Sequence, residues 1–232
     1  MYVERRSAKG PFTVWARSAG AGGAGLVLPD GCIDLIRADG DLFVAGPDTR
    51  AHTVIDPPGA TYTALRFAPG TAPALLGVPA DELRDRRVPL ADLWGEDEAR
   101  VLAERAAAAP DTAFFLEDLA AQRLRAADSL PARFAATVVG ALRAGADIAS
   151  VAGTVNLSER QLRRRSLAAF GYGPKTLARI LRLDSALTLA RTGMPAGLVA
   201  ATAGYADQAH LARDVKALAG VPLRRLLSPA RS

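Results

Sequence analysis

Two segments of this 232-residue chain repeat one another at a fixed offset, and that repeat limits the possible folds more than any other feature. Val151, Ala152, Val155 and Asn156 recur 48 positions later as Val199, Ala200, Ala203 and Gly204. One further residue along, Leu162 and Arg164 fall opposite Leu211 and Arg213. Asn and Gly are the residues that best tolerate left-handed backbone, so each copy carries a sharp turn at the same place.

In the first copy, Asp147 can cap a short helix, IASVAGTV, that ends at Asn156. Ser158 then caps a helix predicted over about 159–170, and Gly171 supplies its left-handed stop. Leu162, Ala169 and Phe170 recur at helical spacing and face a core, leaving Arg160, Gln161, Arg163 and Arg164 on the other faces. Helix, tight turn and basic helix form a helix-turn-helix unit, whose second helix enters the major groove. Arginine can pair with guanine O6 and N7, and glutamine with adenine. The alternative is a solvated basic surface. The second copy places its recognition helix at DQAHLARDVKALAG, opened by Asp207 or Ala206 and closed by Gly220. Between the copies, PKTLARILRLDSALTLAR starts on a proline suited to a first helical turn. Its 18 residues span about 27 Å, enough to carry the second unit towards a groove face that recurs every ~34 Å.

The motifs SERQLRRR, GYGPKTLARILRL and GYADQAHLARDVKALAGVP resemble the paired helix-turn-helix domain of AraC/XylS-type transcription regulators, over about residues 129–228. The resemblance implies base-edge contacts from Ser158, Arg160, Gln161, Arg163 and Arg164, and from Gln208, His210 and Arg213 in the second unit. Lys175, Arg179 and Lys216, on flanking helices, are the candidates for phosphate contact. Two departures stand out: Ser166 occupies a place where the family usually buries phenylalanine, and Ala209 and Ala212 make the second recognition helix less polar than in many relatives.

The formal charge of +5 is unevenly spread. Residues 1–125 hold 14 basic against 18 acidic side chains, net −4, and residues 126–232 hold 15 against 6, net +9. The basic part is the expected polyanion binder, with salt-sensitive affinity. The chain divides near residue 127, giving domains 1–127 and 128–232.

The N-terminal part reads as short strands, FTVWA, GLVLP, CIDLIRA, DLFVAG, HTVID and ATYTALRFA, separated by turn residues such as Ala38-Asp39-Gly40-Asp41. Such spacing predicts a small antiparallel barrel or sandwich. Helices follow from Pro69 to about 127. The fold class is therefore α+β: an antiparallel β unit, helices, then an all-α DNA-binding domain. The stretches LPDGCIDLI, LRFAPG and ALLGVPADELRDRRVPLADLWG resemble the N-terminal domain of a group of AraC-type regulators, described as cupin-like and of unassigned ligand. The resemblance implies a sensing or dimerising role.

Asp30, Cys32 and Asp34 alternate as if along one strand face, with His52 on a later strand. A metal or redox site could be argued there, but one cysteine and one nearby histidine are few ligands, and the stronger reading has Asp30-Gly31 as a turn and Cys32 packed as a small hydrophobe, so neither metal nor cofactor is expected. Asp34 and Arg66 are the candidates for a ligand pocket; a structural ion pair between them is the competing reading, since an unpaired buried charge is costly. Phe114, Phe115, Leu116, Leu119 and Leu124 form an apolar helical stripe that serves either the core or a homodimer contact.

Two functions follow. The first is a sequence-specific regulator that binds duplex DNA and is modulated by a small molecule or by dimerisation. The second is a metal- or thiol-dependent enzyme in the N-terminal barrel, for which Cys32 and His52 supply too few ligands. No apolar run reaches 18 residues and MYVERRSAKG lacks a signal-peptide core, so no membrane association and a cytoplasmic location are expected.

Overall fold

The computed structural model describes residues 1–227, so the last five residues of the expected C-terminal domain lie outside the described residues. The N-terminal strands are β1 (Tyr2–Arg6), β2 (Phe12–Ser18), β3 (Gly23–Val27), β4 (Ile33–Ala38), β5 (Asp41–Ala45), β6 (His52–Asp56), β7 (Thr61–Phe67) and β8 (Arg87–Pro89). Six form an antiparallel sheet in the order β1-β2-β7-β4-β5-β8, and β3 pairs with β6 as a separate ribbon. The β unit is thus an open sheet with a two-stranded cover, one of the two arrangements that strand spacing allowed. β1 and β8 escaped the sequence reading for a physical reason: every residue of YVERR is exposed on an edge strand, and RVP is too short for a period.

Strand alternation gives the sheet two unlike faces. Phe12, Val14, Ile33, Leu35, Leu42, Val44, Leu65 and Phe67 point one way, into a core closed by helices. Those helices are α1 (Ala72–Leu76), α2 (Ala80–Leu83), α3 (Leu90–Trp94), α4 (Glu96–Ala108) and α5 (Thr112–Ala126). Trp15, Ile36 and Ala64 point the other way with Phe43, Ala45 and Tyr62, under the β3–β6 ribbon. On α5, Leu116, Ala120 and Ala121 are core, whereas Phe114 is 54 % exposed beneath the Lys9 ammonium, 3.2 Å from its ring centre. Glu117 on the same helix is buried and accepts two hydrogen bonds from Arg5 of β1, at 2.6 and 2.9 Å, which hold its carboxyl below the usual range.

The C-terminal helices are α6 (Ser129–Arg143), α7 (Ile148–Thr154), α8 (Glu159–Phe170), α9 (Pro174–Arg191), α10 (Ala196–Thr202), α11 (Gln208–Ala219) and α12 (Leu223–Leu227). They share a second core built on Val138, Leu162, Phe170, Leu177, Ile180, Leu183, Val199, Leu211 and Val215. α7 and α8 are matched in length by α10 and α11, at seven and twelve residues each. Asn156 sits at φ 53° and Gly204 at φ 78°, so both turns use the left-handed region. Gly204→Val forces a β-branched side chain into that region and is expected to cost about 1 to 3 kcal/mol. Asn156→Gly is expected to change stability by no more than about 0.5 kcal/mol. Urea melts of the two variants check the contrast; equal midpoints would contradict it.

The two cores meet behind α8. Gly70 sits against Phe170, and a Cβ there would come within 2.7 Å of that ring and 2.5 Å of Ala135. Arg84 donates to the Gly171 carbonyl at the end of α8 (3.0 Å), and the Ala51 amide donates to the Leu218 carbonyl of α11 (2.8 Å). The strand domain therefore touches both recognition helices at their C-terminal ends.

Candidate nucleic-acid interface and ligand cavity

The first recognition helix is fixed at its start by a capping box. Ser158 Oγ accepts from the Gln161 amide, and Gln161 Oε1 accepts from the Ser158 amide at 2.9 Å. Leu162, Ser166 and Phe170 are its buried side, which leaves Arg160, Arg163, Arg164 and Arg165 exposed on the others. The expectation that Ser158 and Gln161 reach base edges meets a competing use: both side chains are folded onto the helix terminus, and Gln161 Oε1 also accepts from the Ser158 hydroxyl at 3.0 Å. Ser166, in the position noted as unusual, is fully buried and its hydroxyl has no hydrogen-bond partner.

On the second recognition helix Asp207 is the cap, its carboxylate accepting from the His210 amide at 2.6 Å. Gln208, Arg213 and Lys216 are exposed. His210 is half-buried and stands edge-on to Tyr205, ring centres 5.1 Å apart, with Nδ1 3.4 Å from the Ala206 amide. Its ring is built into the turn rather than projecting from the helix. Lys175 is exposed at the start of α9.

Arg179 departs most from the sequence expectation. Its guanidinium donates through Nε and Nη2 to Asp214 Oδ1, at 2.9 and 2.5 Å, and Tyr205 donates to the other oxygen at 3.3 Å. Asp214 is 6 % exposed, so the pair ties α9 to α11 around a buried charge. Sequence reasoning passed over Asp214, although an acidic residue among Leu211, Val215 and Leu218 on one helical face was a visible signal.

In the strand domain, a cavity of about 470 Å³ lies between the Trp15 face of the sheet and the β3–β6 ribbon. Asp34 and Arg66 both line it and are paired: Arg66 Nε and Nη2 each donate to the carboxylate at 3.2 Å. Arg66 Nε also lies 3.3 Å from Asp30. Trp15 Nε1 donates to Asp34 at 3.0 Å. Burial pushes the Asp34 carboxyl up to about 6, with Asp30 adding to the shift and Arg66 opposing it. Of the two readings of Asp30, Cys32 and Asp34, the turn holds and the strand alternation does not: β4 begins only at Ile33, and Asp30 closes a turn by accepting from the Cys32 amide at 2.8 Å. The Cys32 thiol is pushed well up by burial and by the two neighbouring carboxylates, which makes it a poor nucleophile.

The cavity also holds charges that sequence reasoning missed. Arg17 pairs with Asp56, tying β2 to the ribbon. Arg87 of β8 donates to Asp48 at 2.8 and 3.1 Å and lies 2.7 Å from His52 Nε2. These contacts join residues far apart in the chain, and only the pairing of β8 with β5 and the stacking of the β3–β6 ribbon over the sheet bring them together.

Residues 151–228 match a family model described as a helix-turn-helix domain, and residues 13–89 match one described as a domain of unknown function, DUF6597. No curated protein sequence matches the chain. Among solved structures, ToxT from Vibrio cholerae superposes with a TM-score of 0.53 at 11 % identity, over 94 % of this chain and 98 % of that one. ToxT bound to (E)-4-(8-methylnaphthalen-1-yl)but-3-enoic acid gives 0.52 at 11 % identity over the same shares. ToxT bound to an unsaturated fatty acid gives 0.50 at 13 %, over 93 % of this chain and 94 % of that one. At such identities the likeness concerns the fold. Among the described residues no helix is long and apolar enough to cross a membrane. With two matched helix-turn-helix units behind a strand domain, the chain is a DNA-binding transcription regulator whose residues 151–228 belong to a helix-turn-helix domain family.

Proposed function

We propose that residues 128–232 read duplex DNA and that residues 1–127 hold a small effector in the cavity beside Arg66. The observation that carries the reading is α8 itself: a capped helix in the second position of a helix-turn-helix, with Arg160, Arg163 and Arg164 exposed, within a segment of net charge +9. These arginines, with Gln208 and Arg213 on α11, are assigned to base edges. Lys175 and Lys216 are assigned to phosphate. Arg179 is given a structural role instead, because its Nε and Nη2 donors serve Asp214.

An effector is supported by the cavity volume, which lies in the range of small-molecule sites, and by ligands bound to ToxT of similar fold. The chain acts in the cytoplasm as a regulator and not as an enzyme, and exposed Phe114 on α5 is the assigned homodimer contact. A mobility-shift assay on the fragments 128–232 and 1–125 tests the division. The first is expected to bind duplex with steep salt dependence and the second not to bind. Equal binding by both would refute it.

A further inference from the structure

Resting on the proposed effector role of the strand-domain cavity, we infer that its ligand is an organic cation: a flat apolar body bearing an amine or amidine that donates to the cavity's carboxylates. The cavity is lined by three arginines, Arg17, Arg66 and Arg87, and by four aspartates, Asp30, Asp34, Asp48 and Asp56. Each arginine is already neutralised within the fold: Arg17 by Asp56, Arg87 by Asp48, and Arg66 by Asp30 and Asp34 together. Over the arginines and aspartates the surplus charge is therefore negative, and His52, beside Asp48, offsets it only when protonated. A carboxylate entering beside Arg66 would become the third acid on one guanidinium, and like charges at close quarters in a water-poor site are strongly disfavoured. An ammonium entering there meets two carboxylates that share one cation.

A second observation points the same way. Asp56 is 6 % exposed, lines the cavity, and its Oδ1 has no hydrogen-bond partner. A buried acceptor without a donor is costly, so the fold already carries an unbalanced carboxylate oxygen behind the cavity wall even though the other oxygen pairs with Arg17. Asp34, driven upward by burial, is likewise relieved by added positive charge. Trp15, Phe43 and Tyr62 supply the apolar and aromatic wall that an organic body needs and a bare metal ion does not.

The test uses the full chain and three probes that share one ring: 1-naphthylmethylamine, 1-naphthylmethanol and 1-naphthoate, titrated by calorimetry. The amine is expected to bind at least about tenfold more tightly than the naphthoate, with the alcohol between them. Asp30→Asn is expected to weaken the amine by about tenfold and leave the alcohol within about twofold. Asp56→Asn, which keeps the shape but removes a charge, serves as a second variant should the first fail to fold. Ala45→Trp, which fills the cavity, is expected to abolish binding of all three. Tighter binding of the naphthoate, lost in Ala45→Trp, would overturn the cationic assignment while leaving the effector pocket intact. Binding that survives Ala45→Trp, or absence of binding by every probe, would overturn the assignment of this cavity to such a ligand.

Discussion

Replacing Arg163 with alanine is expected to weaken binding to a selected duplex by about 1 to 3 kcal/mol, roughly 5- to 150-fold, and to relax base preference at one or two positions. Arg163 is exposed in the first half of α8, one residue beyond the buried Leu162 that anchors the helix. Its loss should leave the fold unchanged, because nothing in the core depends on it. Arg160→Ala is expected to behave alike. Gln161→Ala, by contrast, breaks the capping box and is expected to lower stability by about 1 kcal/mol, with little change in base preference beyond that. Lys216→Ala should weaken all duplexes equally and reduce the salt slope by about one contact. Titrations on selected and scrambled duplexes at several salt concentrations separate these outcomes. If Arg163→Ala weakened both duplexes equally, α8 would be holding phosphate.

Arg179→Ala should act on stability instead, at a cost of about 2 to 3 kcal/mol. Removal of the guanidinium leaves Asp214 buried, with only the Tyr205 hydroxyl at 3.3 Å. Arg179 itself is 46 % exposed, so water reaches the pair and the cost falls below that of a fully buried one. Asp214→Asn in the same chain is expected to recover much of the loss, since an amide needs no counter-charge. Urea midpoints of the single and double variants measure this. Wild-type stability in Arg179→Ala, together with a reduced salt slope on DNA, would restore the phosphate role.

The difference between these two residues shows where the chain was legible. Periodicity, caps and left-handed turn residues are local, and α8 and α9 begin and end where Ser158, Gly171 and Pro174 place them. The partner of an exposed arginine is not local: Arg179 and Asp214 lie 35 residues apart, and only the packing of α9 against α11 unites them. The same holds in the cavity. The Asp34–Arg66 pair could be anticipated from two charges in apolar strands, and the register of β4 against β7 puts them side by side. The Arg17–Asp56 contact depends on a ribbon crossing over the sheet, and the Arg87–Asp48 contact on β8 returning to pair with β5, neither of which any alternation of residues encodes. Gln161 and His210 have two uses open to them: as polar residues at helix starts they qualify as readers, and the same position suits them to close a cap or a turn.

Sequence-specific reading by two helix-turn-helix units is tested most directly by selecting duplexes from a random pool with the full chain. Two short conserved elements should emerge, centred about one helical turn, ~10 base pairs, apart. The element read by α8 should lose definition when the selection is repeated with Arg163→Ala. Enrichment of no common sequence, with retained duplexes differing only in length or base composition, would contradict the assignment of α8 and α11 as reading helices.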